Sequence, residues 1–155
     1  MLLRLARAGC LALAGAGFAA GAAALSPETL QQNLARGPAA APAEAIRTFY
    51  ERRAYKPLWY SDSRPSRLAT ALLDALARAQ EHGLNPALYG MPQLEERLQT
   101  AAGPAQAEAE LALTRAYLAY AADISSGVID NARQVGRMFR DARRTPPAQL
   151  LDGIA

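Results

Sequence analysis

The sequence predicts an all-α protein, an irregular bundle of four or five amphipathic helices behind a signal peptide. Three observations predict this. Apolar residues recur at three- and four-residue spacing around Ile46, Leu72 and Leu113, the period of a helix with one buried face. Start and stop signals punctuate those runs: Ser66, Asn85-Pro86, Gly83 and Gly103-Pro104. No strand-like alternation recurs, and no internal repeat is visible. With 155 residues there is room for one ordinary domain plus a targeting segment.

Residues 1–24 have their own composition. Arg4 and Arg7 make a short basic start, residues 8–24 are uncharged, and the stretch ends in Ala22-Ala23-Ala24. This is the layout of a secretory signal peptide, with cleavage expected between Ala24 and Leu25. The apolar run is short for a retained membrane anchor and rich in Ala and Gly. Cys10 is not expected to be lipidated, because Arg7 stands three before it and the apolar stretch follows it. Cleavage removes that cysteine, which fits an oxidising compartment without disulfides and leaves no thiol nucleophile.

Residues 25–42 are expected to be a flexible linker, marked by Gly37-Pro38 and Pro42. Inside it, Ser26-Pro27 is suited to start a short helix up to Arg36. The helical domain is expected over 43–155. Ala45, Ile46, Phe49 and Tyr50 put a helix at about 43–53. The aromatic stretch Tyr55-Lys56-Pro57-Leu58-Trp59-Tyr60 reads as an extended segment that tucks Leu58 and Trp59 under the helices. Asp62 to Ser66 reads as a helix-start cluster, with a helix over 66–82 that places Leu68, Leu72, Leu76 and Ala79 on one face. Gly83 stops it in the left-handed region. A short turn follows Asn85-Pro86, and a helix covers about 92–100. The longest helix spans 105–126, with Ala109, Leu113, Ala116, Tyr117, Tyr120, Ala121 and Ile124 as its stripe. A short helix is expected at about 132–141, and another near Ala148.

The charge balance excludes little and suggests less. Without Arg4 and Arg7, 15 basic residues face 14 acidic ones, a net of +1, so no nucleic-acid partner is expected. Arg133, Arg137, Arg140, Arg143 and Arg144 are the one basic concentration. They read as a solvated helix face, or as a binding surface for anionic envelope polymer or another domain. Chemistry-bearing constellations are sparse. His82 is the only histidine, and in the last turn of a helix it suits the dipole there. With one His and no mature Cys, neither a metal nor a cofactor site is expected. Glu95-Glu96 and Glu108-x-Glu110 are carboxylate pairs in charged helix stretches. A glycosidase would need such a pair across a cleft with one member kept protonated. Phe49, Tyr50, Tyr55, Trp59 and Tyr60 suit a core, with a sugar-stacking platform as the other reading.

Three phrases carry a resemblance. They are Phe49-Tyr50-x-x-Arg53-x-Tyr55-x-Pro57-Leu58-Trp59; Leu76-x-x-Ala79-x-x-His82-Gly83-Leu84-Asn85-Pro86-x-x-Tyr89; and Leu113-Thr114-x-Ala116-x-Leu118-x-Tyr120-x-x-Asp123-x-x-x-Gly127. In order and spacing they resemble the N-terminal scaffold domain of the large periplasmic L,D-transpeptidases of Gram-negative bacteria, over roughly 43–151. The resemblance implies a periplasmic role in peptidoglycan cross-linking between diaminopimelate residues. It also implies that a cysteine in a separate downstream domain does the acyl transfer, with a peptidoglycan-binding domain usually beside it. Neither domain is present in this sequence, so no catalytic residue carries over and the chain alone is expected to be inactive. Its implied partners are those two domains, peptidoglycan and cell-wall synthases. The expectation is therefore the non-catalytic scaffold portion of such an enzyme, read as a fragment of a longer protein. The alternatives are a free-standing peptidoglycan- or synthase-binding adaptor and, least favoured, a carboxylate-dependent glycan hydrolase.

Overall fold

A computed structural model of the chain describes residues 24–37, 42–126 and 145–154. Its described part is helical, with one very small sheet.

Helix α1 spans Pro27–Ala35. The Ser26 hydroxyl accepts from the Thr29 N–H at 3.3 Å, and Pro27 occupies the first turn, where its missing N–H costs nothing. In that turn its own backbone N–H also holds the exposed Glu28 carboxyl below its ordinary pKa, with help from Ser26. Leu30 and Leu34, four residues apart, are buried. Of the stretch expected to be a flexible linker, 25–42, residues 38–41 lie outside the described residues, and the short helix expected within it from Ser26-Pro27 is α1. Leu25, Leu30 and Leu34 belong to the same core as the later helices, because two leucines on one face have apolar surface to remove from water.

Helix α2 spans Ala43–Arg52 and buries Ile46, Phe49 and Tyr50. Its end is sharp. Ala54 and Tyr55 both lie in the left-handed region, at φ 50° and 56°, a conformation that costs L-residues about 1–2 kcal/mol each. The Tyr55 N–H donates back to the Tyr50 carbonyl at 2.8 Å, which turns the chain under the helix. Leu58 and Trp59 are buried there, as the aromatic density indicates.

Asp62 and Ser63 do not start a helix. They form the two-residue turn of a hairpin, both with positive φ, as the twist of such hairpins requires. The hairpin pairs β1 (Tyr60–Ser61) with β2 (Arg64–Pro65), Ser61 opposite Arg64. Ser66 alone is the cap. Its hydroxyl accepts from the Ala69 N–H at 3.2 Å and donates to the Leu58 carbonyl at 3.0 Å.

Helix α3 runs Arg67–Ala77, and the residues expected to continue it, Ala79–His82, wind as a tighter 3-10 turn. Gly83 then takes φ 74°. The tightening brings the Leu84 N–H onto the Ala79 carbonyl at 3.1 Å and lets both side chains enter the core. A second 3-10 turn, Pro86–Tyr89, is capped by the Asn85 side chain on the Ala87 N–H at 3.0 Å. Helix α4, Met91–Thr100, buries Leu94 and Leu98.

Helix α5, Pro104–Ser126, is the centre of the molecule. It packs against α1, α3, α4 and the last described helix, α6 (Pro147–Asp152). Within 106–118 only Glu108 and Arg115 are exposed on that helix, apart from half-buried Ala112 and Tyr117. An apolar stripe on one side is therefore too narrow a reading: the first half is covered nearly all round, while Ile124 at its far end is 47 % exposed. Helix α6 anchors through buried Leu151 and through the Tyr117 hydroxyl, which donates to the Leu150 carbonyl at 2.8 Å. An exposed Arg52–Asp152 ion pair ties it to α2, a contact of small stabilising value. The helix expected at 132–141 lies outside the described residues. No helix among the described residues is long and apolar enough to cross a membrane.

Candidate functional site

Two places draw polar side chains together, and they differ in kind. The first is a closed knot around Glu110. This residue sits on α5 at 0 % exposure. Its Oε1 accepts from the Tyr50 hydroxyl at 2.8 Å and from the Leu58 N–H, and its Oε2 accepts from the Trp59 N–H at 3.1 Å. Four residues on, the Thr114 hydroxyl oxygen accepts from the Trp59 indole N–H at 2.9 Å and lies 2.8 Å from the Tyr50 hydroxyl. Thr114 in turn donates to the Glu110 carbonyl at 2.9 Å. Each of these donors is buried and would be costly to leave unpaired.

Charge in this knot is finely balanced. Burial pushes the Glu110 carboxyl above its ordinary pKa, against the opposing pull of the Leu58 amide, the Tyr50 hydroxyl, the Trp59 amide and the Arg53 guanidinium. Arg53 itself lies over the Phe49 ring, 5.3 Å from its centroid. Burial and then the nearby Glu110 charge hold the Tyr50 hydroxyl well above its ordinary value. A carboxylate with no exposed surface and both oxygens taken by buried donors holds a loop in place. It has no room to act on a substrate.

Glu110 corrects the sequence reading. Glu108-x-Glu110 looks like a solvated pair, yet Glu108 is exposed and Glu110 is sealed among aromatic side chains. Two residues apart on a helix they face different directions, so they cannot serve one reaction centre. A signal was available: Gln106, Glu110 and Thr114 stand at four-residue spacing and form a buried polar stripe along α5.

The knot also explains the three phrases singled out above. Tyr50 and Trp59 of the first meet Thr114 of the third. Tyr89 of the second donates to Asp123 of the third at 2.9 Å and sets its ring edge against Tyr120, 5.6 Å between centroids. Burial, followed by the hydrogen bond to Asp123, pushes the Tyr89 hydroxyl up to about 12. The phrases are fasteners that join α2, the 86–89 turn and α5.

The second place is an open groove of about 480 Å³ between α4 and α5. Leu94 and Ala116 are buried at its floor, with half-buried Ala112 and exposed Ala119 also lining it. Arg97 on α4 and Arg115 on α5 stand on its walls, both exposed, and among the described residues no acidic side chain lines it. Among the described residues neither arginine has an ion pair. Leu88, at 68 % exposure, edges it. The groove brings together no nucleophile, acid and base, so its geometry suits binding.

Of the residues expected to matter from sequence, Ala24 is exposed and Leu25 is buried in the core. Arg133, Arg137, Arg140, Arg143 and Arg144 lie outside the described residues. His82 is exposed at the end of its 3-10 turn. Phe49, Tyr50, Trp59 and Tyr60 are core, and Tyr55 packs against it half-buried. Among the described residues no group of three His, Cys, Asp or Glu side chains is placed to hold a metal ion. No curated protein and no solved structure is significantly similar to the chain. A family model described as "Scaffold domain" matches residues 44–155.

Proposed function

The chain belongs to the Scaffold-domain family and is a non-catalytic scaffold module, and from that premise we propose that it serves peptidoglycan cross-linking in the periplasm as the helical body of an L,D-transpeptidase. Its role there is to brace and orient a catalytic domain that carries the cysteine. The observation that carries this reading is the interlocking of the three family-like phrases through Tyr50, Trp59, Thr114, Tyr89 and Asp123. Residues that resemble the family's pattern are spent on holding helices in register, which is the work of a brace. The basic start and the uncharged stretch that follows it support export. Acyl transfer through a thioester needs a thiolate, and Cys10 is the sole cysteine, inside the stretch that the export reading removes.

The test is genetic and chemical. Muropeptides from digested cell walls are compared between the parent strain, a strain lacking the gene, and one carrying Glu110→Ala. Loss of diaminopimelate–diaminopimelate cross-links in both altered strains is expected. Unchanged cross-linking in the strain lacking the gene would remove the proposal.

A further inference from the structure

We infer that the groove between α4 and α5 is a docking site for an extended, acidic segment of a partner polypeptide. This goes beyond the cross-linking role and does not rest on it. The floor is apolar and built from small side chains, so a peptide backbone can lie close to α5. The walls carry Arg97 and Arg115, one on each helix, with no carboxylate on the lining to neutralise them. Two exposed guanidiniums flanking an apolar trough favour carboxylates at the edges and an apolar side chain between them. Leu88 extends the apolar surface at the rim, 68 % exposed where most large apolar side chains of this fold are covered.

Charge selects among the occupants. The segment of this chain between Ser126 and Thr145 carries Arg133, Arg137, Arg140, Arg143 and Arg144 against Asp130 and Asp141. A segment with that net positive charge is repelled by Arg97 and Arg115. The volume, about 480 Å³, is in the range of sites that hold a few side chains rather than a whole helix.

The experiment uses the whole chain and fluorescence anisotropy. The probe is a labelled peptide of alternating Glu and Leu, and its control has Gln for every Glu. The acidic probe is expected to bind, to weaken as salt rises, and to lose about tenfold or more in affinity to the Arg97→Glu, Arg115→Glu double variant. Circular dichroism of that variant should match the parent, since both side chains are exposed. Equal binding of the two peptides, no binding of either, or unchanged binding to the double variant overturns the inference. So does sedimentation showing a dimer of this chain that Leu88→Glu dissolves, because a second copy would then cover the groove.

Discussion

The knot around Glu110 and the groove beside Arg97 and Arg115 use the same helix in opposite ways. On the knot side, α5 offers a carboxylate to donors from α2 and the loop after it, and Glu110 has no exposed surface. On the groove side, the same helix presents Arg115 to solvent without an ion pair among the described residues. The contrast separates two uses of polar residues in a helical body. Where every group is satisfied and sealed, the group fixes structure. Where charge is left unmatched over an apolar floor, the group is free to recognise something else.

The largest expected effect breaks the knot. Glu110→Ala leaves the Leu58 and Trp59 amides buried without an acceptor and takes one of the two partners of the Tyr50 hydroxyl, and urea unfolding should show a loss of about 3–5 kcal/mol. Thr114→Val keeps the shape and removes the acceptor for the indole N–H and the second partner of the Tyr50 hydroxyl, for about 1–3 kcal/mol by the same measurement. A loss under a few tenths in either variant would mean that water reaches the knot. Ala54→Gly should work the other way. It relieves one left-handed alanine and is expected to stabilise by about 1 kcal/mol. The smallest effect sharpens the comparison: the Arg97→Glu, Arg115→Glu double variant should stay within about 0.5 kcal/mol of the parent in the same unfolding series.

A pH series tests the knot's electrostatics separately. The Glu110 carboxyl has a higher pKa folded than unfolded. Between those two values the folded chain binds more protons, so its contribution is full at acid pH and is lost as pH rises through the folded value. Exposed Glu28, lowered in the folded state, contributes with the opposite sign and at lower pH. Glu110→Gln should therefore flatten the fall in stability above the ordinary glutamate range. An identical slope in parent and variant would assign that fall to other groups.

Most of the helices are legible in the sequence because their ends are chemical: Ser26, Ser66, Asn85, Gly83 and Gly103 act locally, through caps and left-handed turns. The hairpin at Asp62-Ser63 escaped because neither residue is glycine, the usual sign of that turn. The split at Arg78 escaped because helix and 3-10 turn share similar apolar spacing over one turn. The Glu110 knot is hidden for a deeper reason. A charged residue in a polar-looking stretch reads as solvated unless one knows that α5 is surrounded, and that is a property of the packing. Arg97 and Arg115 are likewise unremarkable until α4 lies beside α5.

Helix α1 has a consequence for how this chain is made. This helix, with its buried Leu30 and Leu34, packs chiefly on α5, which follows it by about seventy residues. A chain presented N-terminus first, from ribosome or export channel, thus carries two leucines with nowhere to settle until α5 follows. A chaperone that shelters the earliest residues would matter more here than for a bundle whose first helix pairs with its neighbour, and a chain cut short before Pro104 should leave α1 protease-sensitive where the whole chain protects it.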